Sequence, residues 1–280
     1  MSHSERFLMA GVMGWPVMHS RSPMIHNFWF KQQGLAGSYV PLAIRPEGLE
    51  AALRALHPLG FSGCNVTIPH KQEAMKIVDE IDESARKIGA ISCVTVRPDG
   101  TLLGSNNDAF GFIRNVQHSE PTWRADAGPI VVIGAGGGSR AVCYGLLEAG
   151  AKEIRLVNRE LTRAEVVATE FGAAIKAYPW ESRHEVLAGA AMLVNTTSQG
   201  MAGQTALDLS LDKLPTTALV TDIVYIPLDT PLLVAAKARG NRTVAGLGML
   251  LHQGPLAWQK WFGLEPAVSD ELWELVEKSL

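Results

Sequence analysis

Along most of the chain, short apolar runs rich in β-branched residues alternate with segments whose apolar positions recur every three or four residues. The first pattern predicts buried strands and the second amphipathic helices. Residues 7–13, FLMAGVM, read as a buried strand. After a Gly-Trp-Pro turn, RSPMIHNFWFKQQG reads as a helix with Ser22 as N-cap, Pro23 at the first helical position and Gly34 as the stop. SYVPLAI predicts a strand, EGLEAALRAL a helix, FSGCNVTI a strand and KQEAMKIVDEI a helix. Such alternation implies parallel βαβ units, hence an α/β fold.

The rhythm breaks at ISCVTVRPDGTLLGSN, where Asp99-Gly100 marks a hairpin turn and Pro98 suggests an edge position. A helix around DAFGFIRNVQ leads into the polar, proline-containing stretch 117–129, read as a linker. A second series follows: IVVIG, a helix over 138–149, IRLVN, a helix through TRAEVVATEF, then AIKAY, AMLVNTT, ALVTDIV and a helix over TPLLVAAKARG. Two last helices, at about 248–262 and 269–279, carry Trp258, Trp261, Phe262, Leu272, Trp273 and Val276 at helical spacing, a packing pattern.

Length turns this pattern into two compact units, since 280 residues exceed the usual single-domain size. A formal net charge of −3 and 19% charged residues give no broad attraction for nucleic acid or an anionic membrane. A small-molecule partner is expected, with the oligomeric state left open between monomer and homodimer. Cys64, Cys93 and Cys143 are odd in number and far apart, which predicts buried reduced thiols. MSHSERFLMAGVMGW has an apolar run too short and glycine-broken for a signal segment, and no uninterrupted apolar stretch would span a bilayer. The expectation is a cytoplasmic protein.

VVIGAGGGSRA follows a buried strand and opens a helix, the context of a dinucleotide-binding loop. Gly134 would make the tight turn, Gly136 would admit the pyrophosphate, Gly137 and Gly138 extend the loop, and Ser139 holds the third glycine position. Phosphate would lie on the helix N-terminus. At the end of the next strand stand Asn158 and Arg159, with Arg163 one turn on. Two guanidinium forks suit a 2′-phosphate and favour NADP. Glu160 between them argues the other way and keeps NAD as the alternative.

The stretch NVTIPHK, residues 65–71, stops a β-branched strand at Pro69 and places Lys71 just beyond it. A lysine there reads either as a solvated charge or as chemistry carried on a rigid support.

Seven segments together resemble the shikimate dehydrogenase family over essentially the whole chain: VMGWPVMHSRSPMIHN, GCNVTIPHKQEA, GSNNDAFGF, VVIGAGGGSRA, VNRELTRAE, VNTTSQGM and AGLGMLLHQ. The resemblance implies an N-terminal α/β substrate domain over 1–106 plus 248–280. It also implies a Rossmann-type doubly wound domain over 107–247, with the C-terminal helices returning to the first domain. The activity implied is reversible NADP-dependent hydride transfer at the 3-position of shikimate or a related ring acid. By position, Lys71 and Asp108 become catalytic. Ser20 and Ser22 would bind the substrate carboxylate, while Asn65, Thr67, Ser92, Asn106, Tyr225 and Gln253 would contact substrate. Asn195, Thr196, Met201 and Gly246 would lie near the cofactor, Gly246 by admitting the nicotinamide.

A Lys–Asp pair suits an alcohol whose proton must leave as hydride departs, because an ammonium stabilises the developing oxyanion and a neighbouring carboxylate biases its protonation. Asp108 also reads as a plain helix N-cap. His19, His26 and His70 lack metal-ligand spacing, so no metal is expected. Family members carry AGAVNT where this chain has IGAISCV, so Ser92 replaces an asparagine that contacts a ring hydroxyl. His70 and Ser105 also depart from the pattern. These departures admit quinate or an aminoshikimate as substrate. A non-catalytic sensor of the same fold would be expected to have lost the Lys–Asp pair.

Overall fold

The computed structural model describes residues 7–280; the first six residues of the stretch read as lacking a signal segment, and of the expected substrate domain, lie outside the described residues. The chain forms two compact units, one running to Asn107 and including Leu250–Ser279, the other Asp108–Met249.

The first unit begins with β1 (Leu8–Gly14), α1 (Ser22–Gln32), β2 (Gly37–Ala43), α2 (Leu49–Ala55) and β3 (Phe61–Val66). It continues with α3 (Glu73–Ile77), β4 (Glu80–Ile81), α4 (Glu83–Ile88), β5 (Cys93–Val96) and β6 (Leu102–Ser105). The sheet order is β2-β1-β3-β5-β6-β4. β1 pairs parallel with both β2 and β3, whereas β5 runs antiparallel to β3 and β6. Met13, Leu53, Val66, Ile91, Val94 and Leu102 meet in its core.

Four local expectations change here. Ser22 is the first helical residue of α1 and not its cap; the capping position is Arg21, and Ser20 Oγ accepts the Ser22 N–H at 3.2 Å. The helix expected over KQEAMKIVDEI ends at Ile77, because Val78 is extended and the chain turns to pair with β6. Asp79 fixes that turn, its N–H donating to Leu102 O and its carboxylate accepting the Leu102 N–H, while Arg54 donates to both its oxygens. α4, absent from the sequence reading, is capped by Asp82, which accepts the Ala85 N–H at 2.8 Å. Pro98 sits in the turn between β5 and β6, so β5 is an interior strand.

The second unit holds α5 (Asp108–Ser119), β7 (Ile130–Ile133), α6 (Gly137–Glu148), β8 (Ile154–Asn158), α7 (Leu161–Phe171) and β9 (Ile175–Pro179). Then come β10 (Met192–Asn195), β11 (Leu219–Asp222), α8 (Pro231–Ala238) and the short β12 (Arg242–Val244), which the pattern did not reveal. Its sheet is wholly parallel, in the order β12-β11-β10-β7-β8-β9. Chain direction across the sheet reverses between β7 and β10, the switch point at which doubly wound sheets bind ligands. Period-two alternation sends Ile130 and Val132 to one apolar cluster and Val131 and Ile133 to the other, so both faces are covered.

The unit boundary falls within α9 (Leu247–Phe262), which α10 (Asp270–Glu277) follows. α9 docks on the first unit through aromatics: Trp258 packs edge-on to Trp29 at 5.8 Å, and Trp261 Nε1–H donates to Val94 O at 2.9 Å. Gly254 and Gly63 make this fit, since a Cβ at either would lie within 2.5 Å of Trp29 or Trp261.

Candidate active site

β1 and β3 end side by side in the first unit. Thr67 N–H donates to Met13 O and Trp15 N–H to Ile68 O, so the chain beyond each strand is tied to the other. A turn follows the cis Ile68–Pro69 peptide and carries half-buried Lys71, whose carbonyl accepts the Ile91 N–H at 3.0 Å. His70 is buried and donates from Nε2 to Ile44 O at 2.8 Å, a structural use for that departure from the family pattern. The strand of NVTIPHK ends at Val66, two residues before the expected end at Ile68.

Asn65 is oriented from two sides. Tyr39 donates its hydroxyl to Asn65 Oδ1 at 2.7 Å, and Asn65 Nδ2 donates to Ser92 O at 3.2 Å. Burial pushes the Tyr39 phenol well up, the Cys64 and Cys93 thiols add to the rise, and a hydrogen bond with Ser22 opposes it. Ser22 and Asn65 are therefore joined through a phenol that the sequence reading did not single out. Ser92 is buried, and its Oγ accepts the Asn107 N–H at 2.9 Å. Asn106 is buried too and donates from Nδ2 to Ala90 O. Asn107 Oδ1 accepts from Lys260 Nζ at 3.1 Å. Gln253 lies half-buried on α9, within the first unit.

Under α1 and α9, His26 stacks on Tyr39 at 4.0 Å and accepts the Trp258 Nε1–H on Nδ1 at 2.7 Å. Burial lowers its pKa to about 3, so it is a neutral packed histidine. The three cysteines are buried as well, and burial raises Cys93 to about 11 and Cys143 to about 12. No group of three or more His, Cys, Asp or Glu residues that could hold a metal ion occurs among the described residues.

The glycine loop of the second unit lies between the end of β7 and α6. Gly134 has φ of +109°, and a Cβ there would stand 2.7 Å from Thr196 Oγ1, so only glycine makes this turn. Thr196 itself donates to Ile133 O at 2.6 Å. Gly136 and Gly137 face open space where a Cβ would meet nothing within 4 Å, leaving backbone N–H groups exposed at the start of α6. That bare cradle fits a pyrophosphate. Ser139 is buried and donates to Gly134 O at 2.5 Å, so its hydroxyl closes the loop from behind. At the end of β8, Arg159 is exposed, and Arg163 pairs with Glu160 at 2.9 Å, both mostly exposed.

Asn195 is fully buried: it donates to the Asp222 carboxylate and to Gln199 O, and accepts from the Thr197 N–H and hydroxyl. It shapes the loop after β10. Asp222, which the sequence reading passed over, also accepts from the Val224 N–H and the Thr230 hydroxyl. Burial raises its pKa, and those three donors oppose the rise. Gly246 is required by Ile223, whose carbonyl oxygen would lie 2.4 Å from any Cβ there, a constraint within the protein itself. Tyr225 is half-buried on the segment after β11, while Met201 is exposed. A cavity of about 290 Å³ lined by Ile130, Met192, Leu219 and Arg242 lies where those strands begin, away from the glycine loop, and carries none of the candidate residues.

Among the described residues no helix is long and apolar enough to cross a membrane. Residues 12–94 match the family model of the shikimate dehydrogenase substrate binding domain, and residues 120–229 match that of shikimate / quinate 5-dehydrogenase. The chain is 53% identical to the shikimate dehydrogenase (NADP(+)) of Paramagnetospirillum magneticum over 269 residues, 96% of this chain and 98% of that one. Shikimate 5-dehydrogenase of Thermus thermophilus, solved with NADP(H) and shikimate, superposes with a TM-score of 0.88 at 36% identity, covering 98% of this chain and 100% of the other. Quinate dehydrogenase of Corynebacterium glutamicum, solved with NAD, superposes with a TM-score of 0.89 at 31% identity over 98% and 99%.

Proposed function

The chain belongs to the shikimate dehydrogenase family, and we propose that it is an NADP-dependent oxidoreductase that interconverts shikimate and its 3-dehydro form, with Lys71 and Asp108 handling the proton. NADP, when bound, takes or returns the hydride. Gly136 and Gly137, beyond the turn that Gly134 makes, leave room for its pyrophosphate, and Arg159 and Arg163 offer cations to its 2′-phosphate. On the alcohol side, the C3–H bond breaks with its electron pair, the O–H proton passes to the Lys71–Asp108 pair, and a C=O bond forms. In the reverse direction the same pair returns the proton. An ammonium at Lys71 stabilises the oxygen while it carries charge. Asn65, held by Tyr39, presents its amide to a ring hydroxyl, and Ser20 and Ser22 take the carboxylate.

The observation that carries this reading is the tie between the Lys71 carbonyl and Ile91, next to Ser92, whose hydroxyl holds the residue preceding Asp108. Both candidate proton carriers leave from segments fixed by one short stretch. A second reading, oxidation of quinate or an aminoshikimate, is favoured by Ser92 itself: the shorter side chain is engaged by Asn107 where the family places a carboxamide on substrate. Purified protein with NADP or NAD and each of shikimate, quinate and aminoshikimate tests both readings. Reduced nicotinamide should accumulate fastest with shikimate and NADP; no turnover with any ring acid overturns the proposal.

A further inference from the structure

Ser92 spends each of its polar groups on a different segment. Its N–H donates to Ser105 O at 2.9 Å, and its carbonyl accepts the Val66 N–H at 2.9 Å and Asn65 Nδ2 at 3.2 Å. Its hydroxyl accepts the Asn107 N–H at 2.9 Å. Ile91, one residue earlier, holds the Lys71 carbonyl. With 2% of its surface exposed, Ser92 sits behind these segments. Asn107 is fully buried and directly precedes Asp108, the first residue of α5. The Asn107 side chain is gripped separately by Lys260.

We propose that Ser92 is a positioning residue. Its hydroxyl fixes the Asn107 peptide, directly before Asp108, while its backbone and Ile91 hold the Asn65 and Lys71 segments. The serine hydroxyl is committed to this internal bond, so it sets turnover and not substrate affinity. Buried backbone N–H groups need a partner, and the hydroxyl supplies one. The proposal rests on the reading of Lys71 and Asp108 as the proton carriers.

Two measurements test it on the full chain. In Ser92→Ala, amide hydrogen exchange at Asn107 should quicken about ten-fold, the size expected when one buried hydrogen bond is lost, and kcat for shikimate should fall about as much. KM should stay within about two-fold, because no substrate contact is removed. Ser92→Cys, slightly larger and a weaker acceptor, should fall between wild type and alanine in both readouts, and it serves if the alanine variant does not fold. Unchanged Asn107 exchange overturns the proposal. So does faster exchange without a fall in kcat, or a raised KM with kcat intact, which marks a direct substrate contact. Wild-type turnover of shikimate tests the underlying reading separately, since Asn107 exchange can be followed whether or not shikimate reacts.

Discussion

The Tyr39 hydroxyl donates to Asn65 Oδ1 at 2.7 Å, which turns the Asn65 amide nitrogen towards Ser92 O at 3.2 Å. Tyr39→Phe removes the donor while keeping the ring that stacks on His26. One lost hydrogen bond is worth about 0.5–1.5 kcal/mol, so KM for shikimate should rise by about two- to ten-fold with kcat much less affected. Steady-state kinetics of the variant check this; an unchanged KM removes Asn65 orientation from the account.

His26 gives a pH dependence of stability. Its pKa is about 3 in the folded chain against 6.5 when unfolded. The folded state therefore binds fewer protons below pH 6.5, and stability is lost as pH falls from there towards 3. Between about pH 6.5 and about pH 5 the loss should be about 2 kcal/mol. Urea unfolding at the two pH values, compared with His26→Gln, measures it: the variant should lack this component. Equal slopes for both proteins would show that another group titrates.

Cofactor choice should turn on Glu160. Its carboxylate occupies Arg163 and repels a 2′-phosphate, yet both side chains are mostly exposed, so the effect is modest. Glu160→Gln should raise the preference for NADP over NAD, in kcat/KM, by about five-fold, the order of one unit-charge contact in water. Arg159→Ala should lower it. Titration with 2′,5′-ADP gives the same ranking without turnover.

Asp222 accepts only from donors: the Asn195 amide, the Val224 N–H and the Thr230 hydroxyl. In Asp222→Asn an NH2 group replacing Oδ2 faces the Asn195 NH2, a donor against a donor, beside the Thr230 hydroxyl. The variant should lose about 1–3 kcal/mol in denaturant unfolding, the cost of a buried unmatched polar group.

What the sequence made legible follows locality. The glycine loop was readable because strand, turn and helix lie within a dozen residues, and Gly134 meets a demand that only glycine satisfies. The α3–β4–α4 stretch was not, because β4 exists only through its pairing with β6, about twenty residues on, and nothing local announces that partner. The three-residue β12 fails for the same reason. Site residues split similarly. Lys71 stands out at a strand's exit, whereas Tyr39 and Asp222 look like ordinary strand residues until their partners, brought from distant segments, are known. Asn195 and Gly246 read as lying near the cofactor from motif position, and their internal partners, Asp222 and the Ile223 carbonyl, were not visible in the motif.

Single-turnover kinetics of Lys71→Ala with saturating shikimate and NADP test whether Lys71 carries the proton chemistry. Positioned acid–base groups contribute about 10²–10⁴-fold, so the rate of nicotinamide reduction should fall by that order, with binding of NADP by fluorescence titration within a few-fold of wild type. A variant that reduces NADP at the wild-type rate would contradict the account.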